Sequence, residues 1–230
     1  MKSRTGKKIS CFIPCRKNGD FIKNLNFLEI DNCKLVEHTI QIAQQSKLFN
    51  NTYLLSNDKN AFDELKKKYN FLKLVYTKSS QEPFYKVLKK LKKYEYLKND
   101  EDICVLLPNY PFKSPQTLNI IHNIFKSTNS DMVASAKKEF FFYYSQKKRL
   151  YKSINYLENI KVKNKIEPLV RLAGGIFFFS NLKTNFTDIK KKYLYFINNH
   201  EAFGIYSLYD FITAQGLFDI DASILKKMSN

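Results

Sequence analysis

Arg16, Lys17, Asn18, Gly19 and Asp20 follow directly on the apolar run of residues 9–14, and Lys23 with Asn24 closes the same stretch, ISCFIPCRKNGDFIKN. A short apolar run broken by a proline and followed by polar residues predicts a buried first strand that delivers a loop. In open α/β sheets, ligands bind where loops leave the carboxyl ends of the strands. Arg, Lys and Asn side chains, with backbone N–H groups, are the donors that phosphates need there. The loop holds one glycine and matches neither a P-loop nor a GxGxxG pattern. Taken alone, its residues favour a solvated surface loop on a basic protein.

A second candidate lies near the other end of the chain. Phe218-Asp219-Ile220-Asp221 follows Gly216, which is expected to break a helix over residues 206–214. On an extended segment, residues i and i+2 point the same way. Asp219 and Asp221 would then present two carboxylates on one side, with Ile220 turned inward. Magnesium uses one or two carboxylates plus substrate phosphates and waters. The alternative is plainer: Asp221 caps a terminal helix that begins at Ala222, and Asp219 is solvated.

The elements that must position these residues follow from periodicity. Residues 34–47 carry Leu35, Val36, Ile40, Ile42 and Ala43 at helical spacing. Residues 52–55 read as a second strand, with Asp58 placed to cap a helix over 61–69. A third strand covers 71–76, a basic amphipathic helix 83–97, and a nearly all-apolar fourth strand 102–107. Lys78 stands in the loop before that basic helix. Pro108-Asn109-Tyr110-Pro111 is a rigid turn at the carboxyl end of the fourth strand. By position it borders the same site, though plain loop chemistry fits it as well. Pro115 suits the first turn of a helix through Phe125, and a fifth strand ends at Ala136. Strands alternating with helices argue βαβ units and a mainly parallel sheet. Residues 137–168 lose that rhythm and are rich in Phe, Tyr and Lys. The run Phe140 to Tyr144 suits either an interface or an internal hairpin. Gly174 and Gly175, before Ile176-Phe177-Phe178-Phe179, would permit close backbone approach.

Composition bounds the function. A chain of 230 residues with 44% hydrophobic content suits a single domain with a sizeable core. No apolar run approaches the roughly 20 residues of a membrane span. The basic N-terminus lacks a convincing signal-peptide core, so a cytoplasmic location is expected. Cys11, Cys15, Cys33 and Cys104 form no CxxC pair, and the three histidines are scattered, so there is no zinc framework. Cys11, Cys15 and Cys104 are expected as buried small side chains. The formal charge of +18 fits a nucleic-acid partner, but the lysines are spread along the chain without an RNA- or DNA-binding motif. Such a field would equally collect a nucleoside triphosphate and a sugar carboxylate.

The pieces IPCR (13–16), KN (23–24), KLVEHTI (34–40), LLSND (54–58), LPNYPFKS (107–114), RLAGGIFFFS (171–180) and DID (219–221) occur in this order. The series resembles the CMP-sialic acid synthetase family, cytidylyltransferases for acidic nine-carbon sugars. Their first strand runs into IPARxGSKGIPxKN, and their later segments read STDD, QPTSPLRT, RxNGAIYI and DIDT. Here the first loop is shorter, Gly19-Asp20 stand near the place of the family's Ser-Lys pair, and Leu107 replaces its Gln.

The resemblance implies a Rossmann-like three-layer α/β domain over residues 1–230, with a mainly parallel sheet. Residues 137–170 would be a dimerisation insertion, and the protein a homodimer. It implies attack of a sugar hydroxyl on the α-phosphate of CTP, with release of pyrophosphate. In that scheme Arg16 and Lys17 hold phosphates, Lys23, Asn24 and Lys78 the nucleotide, and Asp219 with Asp221 the magnesium. Asn109, Lys113 and Arg171 would contact the sugar acid, a bidentate Arg suiting a carboxylate better than Lys. The departures leave room for a homologue that binds nucleotide or sugar with reduced or lost catalysis.

Overall fold

A computed structural model of the chain describes residues 7–16, 22–77, 101–139, 144–147, 150–153, 169–180 and 189–228. Within the described residues, the predicted elements of the first half form as expected. Strand β1 (Ile9–Pro14) leads through a small antiparallel pair, β2 (Glu29–Ile30) and β3 (Cys33–Lys34), into helix α1 (Leu35–Ser46). Strand β4 (Asn51–Ser56), helix α2 (Lys59–Lys68) and strand β5 (Leu72–Tyr76) follow, then strand β6 (Asp102–Leu106) and helix α3 (Pro115–Thr128). The helix ends show why the chain turns where it does. The Lys34 N–H donates to the Glu37 carboxylate at 2.8 Å, closing the first turn of α1. Asp58 accepts from the N–H groups of Asn60 and Ala61 at 3.1 and 3.2 Å, so it caps α2 as its position predicted. Ser114 caps α3 ahead of Pro115, and α3 ends on Asn129 in the left-handed region.

Seven strands form one sheet in the order β11-β7-β10-β6-β1-β4-β5. Strand β7 is Met132–Glu139, β10 is Leu169–Phe179 and β11 is Lys192–Phe196. Among the described residues, four of the six pairings are parallel: β1 with β4, β1 with β6, β4 with β5, and β11 with β7. Strand β10 runs antiparallel between β6 and β7. This is a Rossmann-like α/β fold. The chain steps outward from β1 to β4 and β5, then returns to the other side of β1 as β6. The switch point therefore lies between β1 and β6, and loops leaving their carboxyl ends border a crevice.

Both faces of the sheet are buried. On one, Cys11, Ile13, Leu54, Cys104 and Phe178 pack beneath Val36 and Ile40 of α1, Phe62 and Leu65 of α2, and Leu118, Ile121 and Phe125 of α3. On the other, Phe12, Tyr53, Ile103, Val105, Met132 and Phe179 form a second cluster. The expected burial of Cys11, Cys15 and Cys104 holds. Among the described residues, no helix is long and apolar enough to cross a membrane.

Two expectations change. Strand β7 continues past Ala136 to Glu139, because β10 keeps pairing with it: Glu139 faces Leu169 and Lys137 faces Arg171. Part of the 137–170 segment is thus central sheet. Within it, β8 (Tyr144–Lys147) and β9 (Leu150–Ser153) form a two-stranded antiparallel sheet; Phe140 to Tyr143 lie outside the described residues. The predicted helix over 83–97 also lies outside them. Finally, α4 (Leu208–Met228) runs straight through Gly216.

Candidate functional site

The loop after β1 keeps pairing for one more residue, the Cys15 N–H donating to Leu55 O at 2.8 Å. Arg16 is half-buried, and its carbonyl accepts from the Asn26 side chain at 3.1 Å. Lys17 lies outside the described residues. Lys23 is exposed, and Asn24 takes φ 58° to start the 3-10 turn Leu25–Phe27. Asn24 Oδ1 is buried without a hydrogen-bond partner among the described residues. Asn26 thus brings the Arg16 backbone and the turn begun by Asn24 to one place. At the end of β5, Thr77 donates its N–H to Ser56 O at 3.0 Å, while its hydroxyl is likewise buried and unpartnered. Lys78, the next residue, is outside the described set. Cys15 is sealed below this rim; burial, with Asp58 nearby, pushes its thiol well above the ordinary range, so it is no nucleophile.

The loop after β6 faces the same crevice. Leu107 N–H donates to Gly175 O at 2.9 Å, and Asn109 O accepts from Ile205 N–H at 2.8 Å. Gly175 sits at φ +63°, and a Cβ there would lie 2.8 Å from Tyr110 Cδ2 and 2.9 Å from Leu107 Cβ. The glycines therefore do permit a close approach, of β10 to the Leu107–Tyr110 turn. Lys113, expected to face a sugar carboxylate, is only 5% exposed. Its Nζ is turned inward, donating to Leu107 O at 2.9 Å and to Tyr110 O. Burial pushes this ammonium down to about 7. Ser114 donates to the buried Glu201 at 2.7 Å, which Asn198 also holds, tying the start of α3 to the segment after β11.

Because β10 is antiparallel to β6 with Ile176 opposite Leu106, residues before Ile176 reach beyond the carboxyl edge of the sheet. Arg171 stands there, its Nε donating to Glu139 Oε1 at 2.7 Å. Burial would lower the guanidinium's pKa, but the Glu139 hydrogen bond outweighs it and raises it. Next to it, Tyr110 packs edge-on against Tyr206, with centroids 6.0 Å apart and the hydroxyls in contact. Burial, reinforced by Tyr206, holds the Tyr110 phenol above its ordinary range, so it serves as a neutral hydroxyl.

The carboxylate pair is a correction. Asp219 and Asp221 lie within α4, where residues two apart are about 200° around the helix axis. They share no face. Asp221 instead meets His200 Nε2 at 3.2 Å. The His200 ring lies 4.2 Å from that of Phe112, which also lies 4.6 Å from the ring of Phe218. The helix persists because its start is doubly fixed: the Ser207 N–H donates to Asp210, and Asp210 N–H to Ser207 Oγ. Phe211 and Ala214 are buried against Leu25, Leu35 and Phe112. These two carboxylates do not fit a magnesium cradle, and among the described residues no three acidic, His or Cys side chains gather to hold a metal.

Sequence reasoning reached Arg16, Asn24, Asn109 and Arg171, which the topology gathers at one end of the sheet. It missed Tyr206, Glu139, Glu201 and Thr77. Tyr110, set between two prolines, had a local signal; Glu139 meets Arg171 through the pairing of β7 with β10, and Tyr206 and Glu201 meet Tyr110 and Ser114 across long sequence separations.

No protein-family model matches the sequence, and comparison with curated proteins gave no match. Solved structures do match. One is the 4-diphosphocytidyl-2C-methyl-D-erythritol synthase of Anaerococcus prevotii: 15% identity, 93% of this chain, 97% of that one, TM-score 0.68. Another is a CMP:2-keto-3-deoxy-manno-octonic acid synthetase complexed with CTP: 12% identity, 93% and 99%, TM-score 0.67. A further 4-diphosphocytidyl-2C-methyl-D-erythritol synthase has 11% identity, 92% and 98% coverage, and TM-score 0.68. The chain shares the fold of these enzymes over nearly its whole length.

Proposed function

We propose that the protein is a nucleotidyltransferase that moves CMP from CTP to a sialic-acid-like nine-carbon sugar acid. The observation that carries this reading is the fold shared, over 93% of the chain, with a synthetase solved with CTP. The buried oxygens of Asn24 and Thr77, unpartnered among the described residues and both in segments that leave carboxyl ends of strands, add to it, because a nucleoside donor would satisfy them. The sugar hydroxyl oxygen bonds to the α-phosphorus, the bond to the β-phosphate bridging oxygen breaks, pyrophosphate leaves and the hydroxyl proton is released. Such transfer depends on positioning and charge stabilisation rather than covalent catalysis by the protein. Arg16 neutralises phosphate, with Lys17 and Lys78 as further cations; Lys23 and Asn24 border the nucleotide. Asn109 lines the acceptor side. Arg171 offers its terminal nitrogens to the sugar carboxylate, its Nε being held by Glu139. A magnesium ion, which supplies charge neutralisation in such transfers, would find no shared cradle in Asp219 and Asp221. The proposed molecule is a homodimer.

A second reading, a nucleotide-binding homologue with reduced catalysis, is favoured by Leu107 at the family's Gln position and by the split carboxylate pair. The deciding assay is pyrophosphate release with each of four nucleoside triphosphates and a panel of sialic, pseudaminic, legionaminic and octulosonic acids. Release with CTP and one nine-carbon acid is expected. Nucleotide binding without release in any combination selects the second reading.

A further inference from the structure

Lys113 is buried at the back of the loop that leaves β6, and among the described residues it forms no ion pair. A buried cation without a carboxylate is costly to keep. Its two acceptors, the carbonyls of Leu107 and Tyr110, are the two ends of the turn that carries Asn109 at the switch point. The same turn is braced by Gly175 O and by the Ile205 N–H. The titratable groups that feel Lys113 are Cys11 on β1, which favours the charged form, and His38 on α1, whose pKa Lys113 helps to lower. A hydrophobic chain of the same length would fill the space but remove the Lys113 donor from the buried Tyr110 carbonyl and leave the Leu107 carbonyl only its long 3.5 Å contact with the Tyr110 N–H.

We infer that Lys113 is a positioning residue for anion binding: it holds the Leu107–Tyr110 turn in shape, and its charge, set behind the turn, strengthens binding of an anion in front of it. The inference rests on the nucleotide reading above. Two roles separate cleanly. A neutral amine still has two hydrogens for the two carbonyls, so deprotonation removes the charge but not the brace; replacement by an apolar chain removes both. With the free ammonium pushed down to about 7 by burial, an arriving anion raises its proton affinity. Nucleotide binding above neutral pH then takes up a proton, and affinity falls as pH rises through that region.

The test is calorimetry of CTP and of inorganic pyrophosphate binding at pH 8 in buffers of different ionisation enthalpy, with amide hydrogen exchange as a second measurement. Wild type is expected to take up a proton on binding; its absence overturns the charge role without any variant. In Lys113→Met, exchange at Leu107 and Ile205 is expected to quicken while the β1 amides keep their rates. Affinity is expected to fall on the order of tenfold, with proton uptake lost. Lys113→Gln serves if Lys113→Met does not fold. Unchanged exchange at Leu107 and Ile205, or wild-type affinity and proton uptake in the variant, overturns the inference. A wild type that binds neither CTP nor pyrophosphate overturns the nucleotide reading, and the exchange comparison still decides the brace.

Discussion

Gly175 shows how one residue sets the site. Its left-handed backbone leaves room for the Tyr110 ring and the Leu107 side chain, both closer than any Cβ tolerates. Gly175→Ala is expected to destabilise the protein by about 1–3 kcal/mol, read by urea unfolding, and to lower nucleotide affinity through the displaced turn. Lys113 gives a second expectation, this time in pH. Its folded value, pushed down to about 7 by burial, is below the ordinary 10.5, so the folded chain binds fewer protons between them. The destabilising effect is complete below about pH 7 and gone above about 10.5, so stability rises with pH across that window, with a slope of up to about 1.4 kcal/mol per unit. Lys113→Met is expected to flatten that rise relative to wild type, whatever its effect at a single pH. Parallel slopes in the two proteins between pH 7 and 9.5 would show that Lys113 is protonated inside the fold.

At the scale of elements, α4 is where local and tertiary signals part. Gly216 and the DID sequence argue for a break followed by an extended segment. A single glycine costs a helix about 1 kcal/mol relative to alanine. The Ser207–Asp210 cap and the burial of Phe211 and Ala214 outweigh that. A Cβ at Gly216 meets nothing within 4 Å, so Gly216→Ala is expected to stabilise the protein by about 0.5–1 kcal/mol. A loss of stability would argue for the extended form and would restore the two-carboxylate cradle. Elements β1, α1, β4, α2, β5, β6 and α3 are legible because each strand carries its own apolar run and each helix its own periodicity and cap. Strand β11 is not, because Lys192, Tyr193 and Phe196 are exposed and give no buried alternation. The candidate site is legible in the same uneven way. Arg16, Asn24 and Asn109 sit in loops directly after apolar runs, where topology makes them converge. Glu139 reaches Arg171, and Tyr206 reaches Tyr110, across long sequence separations that leave no local trace.

For the molecule as a whole, the net charge is +18, and a crevice lies at the switch point between β1 and β6. Long-range attraction of a triphosphate is screened over about 10 Å at 0.1 M salt. The association rate for CTP is therefore expected to fall as salt rises, with a smaller change in dissociation rate, measurable by stopped flow. The proposed nucleotide is expected to sit at this switch point. Amide exchange of the full chain with and without CTP tests it most directly. Protection is expected to be confined to Cys15 and Arg16, residues 24–27, Leu107, Asn109 and Tyr110, and to be abolished by Arg16→Ala. Protection centred instead on the basic last turn of α2, at Lys66, Lys67 and Lys68, or no protection at saturating CTP, would contradict it.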